Sequence, residues 1–301
     1  MAARKVVAGK PASASKAVRK APDSRAATQP KTRSAIQSRG AGRRIPGKAA
    51  IQSLARTLDK AAFEAAPISQ LSHDVELTLT QAYQVQKAAI AHRIARREQR
   101  AGIKMGFTSR AKMEQMGIED LIWGRLTDGM IVEEGGSVTF SSFIHPRVEP
   151  EIAFLLKRPL AGRLTPMQAM DAVEAIAPAL EIIDSRYADF QFSLTDVVAD
   201  NASSAGFVTG PWRLPDFDFG NLGLVLSVNG KPVQIGSTAA IMGHPLRSLI
   251  AAARFAAEAD EPLKPGWIVM AGGATAAEPL GPGQYVEMEM EGMGRVAFGV
   301  A

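Results

Sequence analysis

Apolar residues at Leu54, Leu58, Ala62 and Phe63 recur at helical spacing, which predicts a helix from Ile51 to Ala66. A second helix is predicted from Leu79 to Gln99, capped by Thr80, with Ala82, Val85, Ala89, Ile90 and Ile94 along one stripe. Arg93, Arg96 and Arg97 near its C-terminal end suit the negative pole of the helix dipole. The stretch AGIKMGFTS then reads as a Gly-rich strand and turn, and AKMEQMG as a short helix stopping at Gly117. Beyond Ile131 the pattern changes to short strands and turns. One helix interrupts it, from Pro166 to about Ala177, with Thr165 as cap, Pro166 at the first helical position, and Met170, Val173 and Ile176 as its buried stripe. HPRVEPEIAFLL, PALEIIDSRY, LGLVLSVNG, GWIVMAGG and QYVEMEMEGMGRVAFGV all read as strands, and His244 to Ala259 as a helix packed on the sheet. With strands outnumbering helices after residue 130, the expected class is α+β, a mixed sheet roll with a helical N-terminal region.

Composition changes this picture at one end only. The 301 residues are 46% hydrophobic, enough for a sizeable core. Residues 1 to 50 carry thirteen Lys or Arg against the single acid Asp23, a net +12, which leaves −7 of the total +5 to the remainder. That segment has almost no large apolar side chain and reads as a disordered tail. Its composition is also that of a transit peptide or a nucleic-acid-binding arm, and an over-extended translation start is the plainest account of it. The expected organisation is a tail over 1–50, a helical region over 51–130 and a catalytic β-roll over 131–301. No apolar run reaches membrane-spanning length, and the absence of cysteine fits a reducing, cytoplasmic setting.

The candidate chemistry lies in three acids. Glu149 and Glu151 stand at i and i+2 of one predicted strand, so both side chains leave the same face, and Glu181 lies thirty residues beyond Glu151 in another strand. Two readings fit: a solvated edge strand with an unrelated acid, or three carboxylates converging on a divalent cation. Oxygen-only ligation suits Mg2+ or Mn2+, and a chain without cysteine has no thiolate zinc site. Glu287, Glu289 and Glu291 repeat the spacing against buried-looking Val286, Met288 and Met290, and are assigned to solvent. His145 and His244 each precede a proline and are read as structural. Lys104, between Gly102 and Gly106, is an ordinary surface lysine or a ligand contact in a spot where backbone can be approached closely.

Six blocks in order carry a family resemblance: GIKMGFTSRAKMEQMG, HPRVEPEIAF, PALEIIDSRY, DVVADNASSAGFVTG, MGHPLRSL and IVMAGGATAAEPL. Across residues 54 to 301 the chain resembles the hydratase and decarboxylase branch of the fumarylacetoacetate hydrolase superfamily, which acts on 2-oxo acids from meta-cleavage of aromatic compounds. The resemblance implies the sheet roll of that superfamily, magnesium (or manganese) held by Glu149, Glu151 and Glu181, and Lys104 in the active site. Thr108, Ser109, Ser203 and Ser204 then offer hydroxyls or backbone donors to a substrate carboxylate, with turn capping as the alternative; Thr275 stands likewise between substrate contact and a simple Gly turn. Asp200 and Asn201 are expected to shape their loop as an Asx turn, and Asp184 to pair with Arg186 as support.

Within the branch the likeness is nearer the decarboxylases. The hydratases carry an aspartate eighteen residues after the lysine, before an aromatic-Gly pair; here Ile122 precedes Trp123 and Gly124. The expected reaction is metal-dependent decarboxylation of 2-oxo-3-hexenedioate to 2-hydroxypenta-2,4-dienoate and CO2. The alternatives are 2-oxopent-4-enoate hydration on the same site and, more remotely, acylpyruvate hydrolysis. A small 2-oxo dicarboxylate is the expected partner, together with copies of the same chain and the hydratase that consumes the product. Membrane is excluded as a partner, and nucleic-acid binding by the tail is at most an accessory property.

Overall fold

The computed structural model describes residues 46–109 and 121–301. The helix expected in AKMEQMG and nearly all of the basic tail lie outside them. Five α-helices are described: α1 (Lys48–Glu64), α2 (Leu79–Ala95), α3 (Pro166–Asp171), α4 (Leu194–Ala199) and α5 (Pro245–Glu258). The first sheet is built from β1 (Arg100–Gly106), β2 (Ile122–Thr127), β4 (Arg147–Leu156), β5 (Val173–Ile183), β6 (Ser204–Thr209) and β9 (Ile268–Met270), in the order β2-β1-β9-β4-β5-β6, with β10 (Glu278–Pro279) beside β4. A second sheet follows the order β3-β12-β11-β7-β8, from β3 (Ser137–Val138), β7 (Gly223–Val228), β8 (Lys231–Ser237), β11 (Gln284–Met290) and β12 (Gly294–Val300). All but two of the pairings are antiparallel; β1 runs parallel to β9 and β3 parallel to β12.

Both faces of the first sheet are covered, which is why its strands are almost continuously apolar rather than alternating. One face sends Ile103, Trp123, Val148, Ile152, Phe154, Ile176 and Leu180 into the main core, where they meet Val286, Met288, Val296 and Phe298 of the second sheet and Leu249 and Ala252 of α5. The opposite face carries Leu126, Ala153, Ala179, Phe207 and Met270 beneath Ile90 of α2. Ile122 on that face joins Ala55 and Leu58 of α1, Val85 of α2, Val198 of α4 and Tyr187. Lys104, Glu149, Glu151 and Glu181 lie on this second face.

The structure departs from expectation at several elements. Helix α3 ends at Asp171, and Val173 and Ile176 belong to the long strand β5. The run VEAIAPALEII is rich in β-branched residues and is hydrogen-bonded to β4 along its length, so pairing overrides the helical spacing read from Met170, Val173 and Ile176. Helix α2 is capped by Thr78, not Thr80: the Thr78 hydroxyl accepts from Gln81 N, and the Gln81 side chain reaches back to Thr78 N. That helix stops at Ala95, and Ile94 is exposed. Helix α1 begins earlier than expected, at Lys48, and turns Ile51, Ala55, Leu58 and Ala61 inward. Phe63 is 76% exposed, with the Arg96 guanidinium 5.6 Å from its ring centroid. The last predicted strand is a β11–β12 hairpin that buries Val286, Met288 and Met290 and turns Glu289 and Glu291 to solvent.

Candidate metal centre

Strand pairing assembles the acids. In the antiparallel β4–β5 ladder Glu149 lies directly opposite Glu181, and Glu151 follows two residues along β4 on the same face. One oxygen from each carboxylate can be chosen so that all lie within 4.8 Å of one another, and Glu149, Glu151 and Glu181 are 7%, 0% and 0% exposed. The solvated-edge alternative is therefore removed. Like charges held this close in a dry environment repel strongly.

Two devices offset part of that repulsion. Lys104, 3% exposed, lies opposite Gly124 of β2 and Met270 of β9, so its side chain leaves β1 on the face of the acids and places Nζ 3.0 Å from Glu181 Oε2. A Cβ at Gly124 would sit 2.5 Å from Asn201 O and 3.2 Å from Lys104 Cγ, so this neighbour has to be glycine. The second device is the segment 271–274, which runs along β4 between β9 and β10. Ala271 N donates to Ile152 O at 3.0 Å and Ala274 N to Pro150 O at 2.8 Å. This alignment lets Gly272 N donate to Glu151 Oε2 at 2.7 Å. A Cβ on Gly273 would be 3.0 Å from Glu149 Cδ and Oε1.

The balance remains negative. Burial pushes the Glu151 carboxyl well above its usual range, and Glu181 and Glu149 push it further against the pull of Lys104 and Gly272 N. Burial raises Glu181 as well, with Lys104 opposing. For Lys104 burial lowers the pKa, yet Glu181, Glu149 and Glu151 together outweigh it and hold the ammonium charged. Glu151 Oε1 and Glu181 Oε1 are buried without a hydrogen-bond partner among the described residues. Orphaned carboxylate oxygens facing one another, with no sulfur or imidazole among them, form the donor set of a hard divalent cation.

The other sequence candidates are distributed around this centre. Thr108 is buried, and its Oγ1 lies only 2.2 Å from where a Cβ on Gly272 would stand, so the loop after β1 abuts the glycine segment; Ser109 follows it. Ser203 Oγ is buried without a partner among the described residues, while Ser203 O accepts from Asp184 N at 2.8 Å. Ser204 Oγ faces Met130 Sδ at 4.0 Å. Thr275 Oγ1 donates to Ala276 O at 2.9 Å, and its methyl packs over Gly236. His244 caps α5 by accepting from Leu246 N at 3.1 Å.

Asp184 and Arg186 do not pair. Asp184 accepts from Ile144 N and His145 N at 2.9 and 2.8 Å, and Arg186 forms a buried ion pair with Asp200. Both lie beyond the end of β5 at Ile183, and each side chain is taken up by a different loop partner, which the pairing expectation overlooked. Asn201 clamps β2 rather than only turning its own loop: Oδ1 accepts from Arg125 N at 2.7 Å and Nδ2 donates to Arg125 O at 2.9 Å. It opens three consecutive left-handed residues, Asn201, Ala202 and Ser203, with φ of 53°, 51° and 57°. The backbone donor Gly272 N and the clearance at Gly273 were also missed, although the doublet in GGAT was their trace.

Residues 105–301 match the family described as fumarylacetoacetate (FAA) hydrolase C-terminal. The chain belongs to the fumarylacetoacetate hydrolase family. It is 53% identical over 248 residues to a 4-oxalocrotonate decarboxylase of a Pseudomonas species, covering 82% of this chain and 97% of that one. The solved structure of 4-oxalocrotonate decarboxylase from Pseudomonas putida G7, complexed with magnesium and adipate, superposes with a TM-score of 0.83 at 38% identity, covering 86% of this chain and all of that one. A TodF product hydratase of Pseudomonas putida is more distant, 36% identical over 75% of this chain and 85% of its own. Among the described residues of this family member no helix is long and apolar enough to cross a membrane.

Proposed function

We propose that this protein is a magnesium-dependent decarboxylase of 2-oxo-3-hexenedioate, releasing CO2 and 2-hydroxypenta-2,4-dienoate. The observation that carries the proposal is a buried acidic triad with its lysine, in a chain more than half identical, over nearly its whole folded length, to a named 4-oxalocrotonate decarboxylase. Glu149, Glu151 and Glu181 would hold the cation, with Mn2+ as a substitute. When bound, a divalent cation polarises the 2-oxo group as a Lewis acid.

The bond that breaks joins the distal carboxylate to C5, its electron pair moves through the conjugated carbons onto the 2-oxo oxygen, and that oxygen takes a proton from solvent to give the 2-hydroxy product. Lys104 keeps its proton on Nζ and sets a fixed positive charge beside that developing negative charge. Ile122 leaves β2 on the same face as Lys104 and is buried among apolar side chains of α1 and α2. An apolar wall there excludes the water that a hydratase must deliver. Thr108, Ser109, Ser203, Ser204 and Thr275 are proposed to orient the substrate; of these, Ser203 has the strongest support, since its buried hydroxyl lacks a described partner.

A coupled assay tests the reading. Purified protein with Mg2+ should release CO2 from 2-oxo-3-hexenedioate, stop on addition of a chelator, and leave 2-hydroxypenta-2,4-dienoate unhydrated. Water addition to the dienoate without decarboxylation would install the hydratase reading instead. The proposal extends to a cytoplasmic homo-oligomer that associates with the product-consuming hydratase, which light scattering of the protein alone and mixed with that enzyme would test.

A further inference from the structure

Resting on the reading above, we infer that Arg147 is a specificity-determining residue that binds the distal carboxylate of the substrate. Arg147 is the first residue of β4, and the strand pairs without irregularity from Arg147 through Leu155. Alternation therefore puts its side chain on the face of Glu149 and Glu151, with its Cα about 6–7 Å from that of Glu149. It marks one end of the row formed by Arg147, Glu149, Glu151 and Ala153.

Its surroundings set it apart. Arg93, Arg100, Arg125, Arg186 and Arg254 are buried or half-buried, and each pairs with a carboxylate. Arg147 is equally half-buried and has no acidic partner among the described residues. Its guanidinium instead lies 4.4 Å from the centroid of the Phe190 ring. Phe190 is presented by two consecutive left-handed residues, Asp189 and itself, with φ of 58° and 57°, and the His145 ring packs against the Phe190 ring with centroids 5.1 Å apart. A strained backbone thus positions an aromatic plane, and the plane holds a guanidinium with unspent donors. Such a planar fork recognises a carboxylate.

Charge asks for this residue. Among the described residues, three carboxylates and Lys104 sum to −2, and a divalent cation would bring that sum to zero. A 2-oxo dicarboxylate then adds two negative charges, and the described residues of the centre hold no further cation to meet the distal one. Arg147 supplies it from the half-exposed end of the row. Its hydrogen bonds hold the distal carboxylate equally in the bound substrate and in a transition state whose C5–carboxylate bond is still breaking, so it assists binding and not the chemical step.

The test compares two unreactive ligands with the same 2-oxo acid head, 2-oxoadipate and 2-oxohexanoate, titrated calorimetrically into the Mg2+-loaded full chain. The native protein should bind the dianion about 10- to 100-fold more tightly than the monoanion. Arg147→Met should erase that difference while leaving the 2-oxohexanoate affinity unchanged. Arg147→Lys, which keeps the charge and loses the fork, should retain part of it, and serves if the methionine variant does not fold. In turnover of 2-oxo-3-hexenedioate, KM should rise with kcat preserved. Discrimination surviving in Arg147→Met, or both affinities falling equally, would overturn the inference. A native protein that binds 2-oxoadipate selectively but releases no CO2 would sink the decarboxylase reading and leave Arg147 in place.

Discussion

Glu151 and Glu181 are fully buried and each carries an oxygen with no partner among the described residues, and this decides what their replacement does. Glu151→Gln or Glu181→Gln should abolish calorimetric Mg2+ binding and lower CO2 release by at least about 100-fold, because several kcal/mol of transition-state stabilisation leave with the cation. Unchanged Mg2+ binding in both variants would remove these residues from the centre. Gly273→Ala is subtler. The added methyl meets the Glu149 carboxylate at 3.0 Å, so Mg2+ affinity should drop roughly tenfold, as when other groups that orient a ligand are disturbed. Circular dichroism should show the fold intact. At this scale the acids were legible in the sequence, since strand alternation aligns Glu149 with Glu151 whatever the tertiary structure. The depth of their burial was not, because it depends on helices from a different part of the chain.

Between elements, Glu261, just beyond α5, ties three of them together. Its carboxylate meets Arg125 of β2 at 2.8 Å, Arg100 of β1 at 3.0 Å and Lys87 of α2 at 2.9 Å. Burial alone would raise its pKa, but these cations hold it well below the usual carboxylate range. Glu261→Gln strands the buried Arg125 and should cost about 3 kcal/mol in urea unfolding. Mg2+ affinity should survive, since none of these groups faces the acidic triad; a loss would show that β1 relays the damage through Lys104. The left-handed turn at Asn201, Ala202 and Ser203 ties the other side of β2 by bracketing the backbone of Arg125. Element type was readable wherever period and length agreed, as in α1, α2, α5 and the β11–β12 hairpin. It failed at Val173 to Ala177, where Met170, Val173 and Ile176 keep helical spacing but pairing with β4 makes the segment a strand, and at Thr80, because a threonine two positions earlier completes the reciprocal cap with Gln81.

For the whole molecule, the triad makes stability depend on pH and metal together. In the unfolded chain the Glu151 and Glu181 carboxyls lose their protons near the ordinary value of 4.5; in the folded, metal-free chain both hold them to higher pH. The folded state thus binds more protons over that interval, so its stability declines as pH rises from about 4.5 through the raised values. A chelated sample should show Tm falling with pH across this window, and excess Mg2+ should flatten the decline by taking the place of the protons. A chelated protein whose Tm rises with pH there would contradict the raised carboxyls. The overall class was legible too, because the strand-rich second half leaves few alternatives to a sheet roll. The division of the first sheet into a core face and a chemical face was not, since its strands come from all along residues 100 to 279.

The glycine segment at 271–274 is locked to β4 by main-chain bonds on either side of Gly272 and Gly273. One inserted or deleted residue there would shift a donor and a vacancy at once, so descendants of this scaffold have little freedom along that border. Novel substrates are more readily accommodated at the open end, where altering a single side chain above Phe190 changes what is admitted without disturbing what reacts.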